Sequence, residues 1–103
     1  MELRHLRYFV AVAEEEHYGR AAQRLRVAQP ALSRQIQDLE REISFDLFDR
    51  LPRGVRLSAA GKAYWEDARS ILGPVSAATD RAGRVARSRR DAAGRFPRER
   101  VLS

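Results

Sequence analysis

The sequence predicts a mainly α fold: three short helices, a β-hairpin and one long helix. Three observations predict it. Apolar residues recur at helical spacing in three separate short runs before residue 44. A turn-type stretch, Leu51-Pro52-Arg53-Gly54, then leads into apolar residues that alternate with arginine. Beyond Ser58, apolar and small residues hold a seven-residue repeat.

Leu3, Leu6, Phe9, Val10 and Ala13 follow a 3.6-residue period and predict the first helix over about 3–14, ending in Glu14-Glu15-Glu16. Gly19 precedes a second pattern, Arg20 to Leu25, with Gly19 at the N-cap. About two turns of helix are unstable alone, so this segment must pack on its neighbours. The third helix starts near Gln29-Pro30, because proline suits the first turn, where its missing N–H costs nothing. Leu32, Ile36, Leu39 and Ile43 form its apolar stripe. Arg34, Gln37 and Arg41 lie nearly opposite, with Ser33 on the flank.

Two short helices joined by a three- or four-residue turn make a helix-turn-helix. In such units the second helix enters the major groove of DNA with its N-terminal end first. Gln29, Pro30, Ser33 and Arg34 occupy that end. Periodicity alone slightly favours an ordinary three-helix bundle with a solvated polar face, because such domains are common and most polar faces simply meet water.

Residues 46–57 read DLFDRLPRGVRL, and a hairpin wing fits them. It is expected to bring Arg50, Arg53 and Arg56 close together, where they can touch phosphates or enter the minor groove. The plainer reading is a tight surface loop with solvated arginines. Ser58 can cap the long helix that follows. Tyr64, Ala68, Ile71, Val75, Ala78, Ala82 and Val85 alternate in steps of four and three, a seam suited to pairing with a second chain. Gly73-Pro74 is expected to bend or locally break that helix. A long helix folded back on its own domain is the alternative. The expected organisation is therefore 1–58 for the winged helix-turn-helix, 59–88 for the linker and dimerisation helix, and 89–103 for a flexible basic tail.

The chain of 103 residues suits one small domain with a modest core. It has no cysteine, which excludes disulfides and thiolate metal sites. No apolar run is long enough to span a membrane, and the start, Met1-Glu2-Leu3-Arg4, lacks a signal-type apolar core. Net charge is +6, but residues 1–80 hold equal numbers of basic and acidic side chains; the excess lies entirely beyond them. A basic tail alone is a weak indication of nucleic-acid binding. Enzyme chemistry is not expected. His5 reads as a local hydrogen-bonding residue, and His17 as part of a solvated turn rather than a Glu–His–Glu metal site. Glu66 and Asp67 are adjacent on a helix and point to different faces. No cofactor or metal is expected.

The assembled residues resemble the DNA-binding region of LysR-type transcriptional regulators. MELRHLRYFVAVAEE resembles that family's first helix, AAQRLRVAQPALSRQIQDLE its core motif, and LFDR with Gly54 to Gly61 its wing and the start of its linker helix. The resemblance runs without a gap from residue 1 to about residue 72. It implies a cytoplasmic regulator that binds double-stranded DNA at an inverted repeat. Gln29, Pro30, Ser33 and Arg34 would face the major groove and Arg53 would approach the minor groove; Gln37, from its place on the outward helix face, and Arg50, from its place in the wing, are read as DNA-binding beside them. It also implies a homodimer through the linker helix at Tyr64, Ala68, Ile71, Val75 and Ala78, with a tetramer open to the full-length protein. A small-molecule effector would act only through a C-terminal region absent from this chain. Three departures stand out: Gly19 where Ser or Thr is usual, Ser44 where a helix-ending glycine is usual, and residues 91–103, which do not resemble a hinge to an effector domain. Ser44 is expected to carry left-handed strain. The contrasting hypothesis is a helical dimerisation or protein-interaction module that binds no DNA.

Overall fold

Leu6, Phe9 and Val12 project from one stripe of α1 (Leu3–Glu15), and all three are buried. The computed structural model describes residues 1–93 of the chain. After α1 come α2 (Tyr18–Leu25), α3 (Gln29–Ile43), β1 (Phe48–Arg50), β2 (Val55–Leu57) and α4 (Ala59–Ala93). The chain divides into two compact units, the first ending at Leu72 and the second beginning at Gly73.

In the first unit, α1, α2 and α3 pack on one another around Phe9, Leu32, Ile36 and Leu39, all fully buried. Phe9 joins the layers: its ring lies 5.4 Å from Phe48 in the wing and 5.4 Å from Tyr64 on α4. Three residues in left-handed conformation end the three short helices: Glu16, Arg26 and Ser44. Each turns its backbone N–H back onto the helix it closes. Ser44, at φ 73°, has the left-handed geometry expected there.

The start of α2 differs from expectation. Its N-cap is His17, not Gly19, and the His17 Nδ1 accepts the Arg20 backbone N–H at 3.2 Å. A ring nitrogen thus satisfies a helix-end donor that a serine or aspartate oxygen usually takes. His17 is therefore a structural residue rather than a merely solvated one. His5 bonds locally, its Nδ1 accepting the Glu2 N–H at 3.3 Å.

β1 and β2 pair antiparallel, with Phe48 opposite Leu57, Asp49 opposite Arg56 and Arg50 opposite Val55. The Glu40 carboxylate accepts the Leu47 N–H at 2.7 Å, which ties the entry of the hairpin to α3. Ser58 caps α4 as expected: its Oγ accepts the Gly61 N–H at 2.9 Å and donates to the Asp46 carbonyl at 2.9 Å.

Of the expectations for the long helix, the local break at Gly73-Pro74 and the tail beginning at residue 89 are corrected. α4 continues through Pro74 without a break in its helical run. Proline removes one backbone donor, and the turns on either side keep theirs. Residues 89–93, read from the sequence as tail, continue the helix to Ala93, as arginine and alanine are strong helix formers. The rest of the expected tail, 94–103, lies outside the described residues.

Candidate nucleic-acid interface

The stripe that buries Leu32, Ile36 and Leu39 dictates what α3 shows to solvent. Gln29, Pro30, Arg34 and Gln37 are exposed, and Ser33 is half-buried on the flank. Among the described residues Arg34 makes no ion pair, whereas Arg41 is bonded to Asp38 one turn back. The N-terminal end of α3 therefore carries uncommitted hydrogen-bonding side chains.

The wing brings its arginines together only in part. Side chains alternate between the two faces of a strand, so Arg50 shares the face of Phe48 and Val55, while Arg56 lies on the other face opposite Asp49. The expected cluster of Arg50, Arg53 and Arg56 is corrected accordingly. Arg50 lines an open concavity of about 440 Å³ with Tyr18, Gln37 and three carboxylates, Glu40, Asp46 and Asp49. Burial pushes the Tyr18 phenol up to about 12, the Glu40 carboxylate adds to the rise, and Arg50 opposes it. At neutral pH Tyr18 is therefore an intact O–H donor beside Arg50. Arg53 is exposed in a turn closed by the Leu51 N–H donating to the Gly54 carbonyl at 3.0 Å.

The acidic run after α1 is spent elsewhere. Arg24 on α2 reaches Glu14 at 2.8 Å and Glu15 at 3.3 Å, and the hydrogen bond to Glu14 is the main reason its guanidinium is held more firmly protonated. Arg20 donates to the Glu15 carbonyl at 3.0 Å. Among the described residues Arg26, Arg34, Arg50, Arg53 and Arg56 form no ion pair. The balanced charge of residues 1–80 thus conceals a separation: Glu14 and Glu15 clasp α1 to Arg20 and Arg24 of α2, while among the described residues Arg34 at the start of α3 and the wing arginines form no ion pair.

A second concavity, of about 450 Å³, lies between the start of α2 and the start of α3. It is lined by His17, Arg20, Gln23, Arg26 and Gln29, with no carboxylate. Sequence reasoning missed His17 and Arg26 here. The signal for His17 was its place three residues before Arg20; Arg26 offered none, because its left-handed helix-ending conformation leaves no mark in an arginine. No group of three His, Asp or Glu side chains gathers into a metal-type cluster among the described residues. No helix among them is long and apolar enough to cross a membrane.

The seam residues divide. Ala68 is 2% exposed and belongs to the core of its own unit. Tyr64 is half-buried against Phe9 and Phe45. Ile71 is 49% exposed, and in the second unit Val75, Ala78 and Val85 are exposed too. The first two positions of the seam are thus already covered by the chain itself.

Residues 3–62 match the family model for bacterial regulatory helix-turn-helix proteins of the lysR family. Among curated relatives, the HTH-type transcriptional regulator BudR of Klebsiella aerogenes is 55% identical over 87 residues, covering 84% of this chain and 61% of BudR. TfdT of Cupriavidus pinatubonensis, another HTH-type transcriptional regulator, is 53% identical over 87 residues, covering 84% of this chain and 38% of TfdT. The chain thus spans less than two thirds of the length of these relatives. Among solved structures, the BenM DNA-binding domain in complex with catB site 1 DNA superposes with a TM-score of 0.76 at 45% identity, covering 84% of this chain and 97% of that one. The CbnR DNA-binding domain in its DNA complex gives 0.73 at 46% identity, covering 84% and 99%.

Proposed function

The chain belongs to the lysR family of bacterial regulatory helix-turn-helix proteins, and from that premise we propose that it is the sequence-specific DNA-binding part of a cytoplasmic transcriptional regulator. The observation that carries this reading is the exposed row on α3, without an ion pair or side-chain hydrogen bond among the described residues: Gln29, Arg34 and Gln37, with Pro30 and Ser33 beside them. α3 enters the major groove by its N-terminal end. Arg34 pairs with guanine O6 and N7, and Gln29 with an adenine edge, since each can bond two base atoms at once. Arg50 and Tyr18 meet the backbone, whose contacts fix register rather than sequence. Arg53 approaches the minor groove from the wing.

The chain works as a dimer through the exposed part of α4, at Ile71, Val75 and Ala78, so its site is an inverted repeat. Half-sites would be spaced by one helical turn of DNA, about 34–36 Å, or a multiple of it. Response to a small molecule, and any tetramer, would reside in parts of the full-length regulator beyond this chain. Support comes from the two structural relatives, each a DNA complex of a domain with this fold.

The test is a mobility-shift titration on the promoter region next to the protein's own gene, at several salt concentrations. Arg34→Ala should cost about 1–3 kcal/mol on the cognate site and blur discrimination there. Equal weakening on cognate and random duplex would make Arg34 a phosphate anchor. No shift of the intact chain at any salt would favour a dimerisation module that binds no DNA.

A further inference from the structure

We infer that the turn between α1 and α2 sets the position of Arg53, and that Gly54 is the positioning residue that makes this possible. The inference rests on the proposed role of Arg53 at the minor groove and explains how that side chain is held there.

Glu16 ends α1 in left-handed conformation, at φ 56°, with its N–H bonded to the Val12 carbonyl at 2.8 Å. Its own carbonyl accepts the N–H of Val55, the first residue of β2, at 3.1 Å. Gly54, just before Val55, lies at φ 98°, a region that side-chain-bearing residues rarely adopt. A Cβ at Gly54 would also overlap the Glu16 carbonyl oxygen. Two independent constraints, backbone angle and close approach, therefore select glycine at the same position.

Two strands of three residues do not hold a pose by themselves. Burial of Phe48 and Val55 anchors the inner face of the hairpin. The tip is held by the Glu16 contact. Arg53 lies inside the four-residue turn that the Leu51–Gly54 bond closes, and that turn rests on Glu16 through Gly54 and Val55. The next residue along, His17, caps α2. One turn thus carries both the start of the helix-turn-helix and the seat of the wing tip, so the two reading elements share a reference point.

The experiment uses the intact 103-residue chain on duplexes with one core sequence and either A·T-rich or G·C-rich flanks. Narrow A·T-rich grooves attract arginine, so wild type should prefer them. Arg53→Ala should lose that preference and about tenfold in affinity, the size of one charge-assisted contact. Gly54→Ala should lose the same preference with core discrimination kept, and the double variant should bind no worse than Arg53→Ala alone. Additive losses, or a Gly54→Ala variant that keeps its flank preference, would overturn the inference. If Arg53→Ala itself keeps the preference, the wing role of Arg53 is what fails, and the inference falls with it. Gly54→Asn replaces the alanine variant should that one not fold, because asparagine tolerates positive φ yet still carries a Cβ. Amide exchange at Val55 reads the contact without any substitution: slow exchange is expected in wild type, and exchange at a free-amide rate would also overturn the inference.

Discussion

Ala68 and Ile71 are adjacent positions of one seven-residue repeat, yet they should respond in opposite ways to the same substitution. Ala68→Asp places a carboxylate in the core, where no polar or charged residue is buried among those described. The effective penalty for an unpaired buried ion is several kcal/mol, against a typical total stability of about 5–15 kcal/mol for a small domain. A loss of about 3 kcal/mol would lower the melting temperature by roughly 12–24 °C. Ile71→Asp starts from a side chain already 49% exposed. Full burial of an isoleucine stabilises by about 1.5–3 kcal/mol, so the covered half contributes about 1 kcal/mol, or about 4–8 °C. In a dimer seam, however, each interface gains two unpaired carboxylates, and its dissociation constant should rise about 100-fold or more. Circular-dichroism melting and sedimentation velocity on both variants separate the two effects. A monomeric Ala68→Asp chain with an unchanged melting temperature would refute the burial argument and restore Ala68 to the seam. An Ile71→Asp chain that still dimerises would show that the exposed part of α4 is not the pairing face.

His17→Ala removes the side-chain acceptor at the start of α2 and should lower stability by about 1 kcal/mol in a denaturant titration, the usual value of an N-cap; an unchanged midpoint would mean that the imidazole contributes nothing. Tyr18 ionises at about 12 in the fold against 10.0 ordinarily, chiefly through burial. Its raised value means the unfolded chain releases the proton first, so the associated stability is intact below pH 10, falls as pH rises, and is lost through about 12. Alkaline unfolding followed by circular dichroism should therefore move to higher pH in Tyr18→Phe; identical curves would assign the transition to another group.

Where one periodic rule dominates, sequence and structure coincide. The apolar stripes of α1 and α3, the Ser58 cap and the left-handed Ser44 each follow from a local requirement that nothing distant overrides. The start of α2 is not legible in the sequence, because N-caps are ordinarily Ser, Thr, Asp, Asn or Gly and here an imidazole nitrogen accepts the helix-end N–H. The seam escaped in part because a repeat identifies an apolar face without saying what covers it: Phe9 takes up Tyr64, and Ile71 is left outward. Arg50 and Arg56 were separable in principle, as strand alternation places residues paired across a hairpin on one face and their neighbours on the other.

Charge was the least readable property, because net charge is a sum and recognition depends on position. The balance of residues 1–80 makes net charge a weak indication of DNA binding, whereas the structure places Glu14 and Glu15 on Arg24 and, among the described residues, leaves Arg34, Arg50 and Arg53 outside any ion pair. That arrangement also bears on how the proposed interface would discriminate. Salt-dependent, sequence-blind affinity grows with the number of phosphates a protein neutralises, by a slope of about 0.9 per phosphate. A surface whose acids and bases are otherwise balanced neutralises few of them. Under the proposed function the hold of residues 1–80 on random DNA would then be weak, and contacts from Arg34 and Gln29 to base edges would make up a larger share of their binding at the right site. A domain of this kind gains selectivity less by adding positive charge than by pairing off the charges that would bind DNA anywhere.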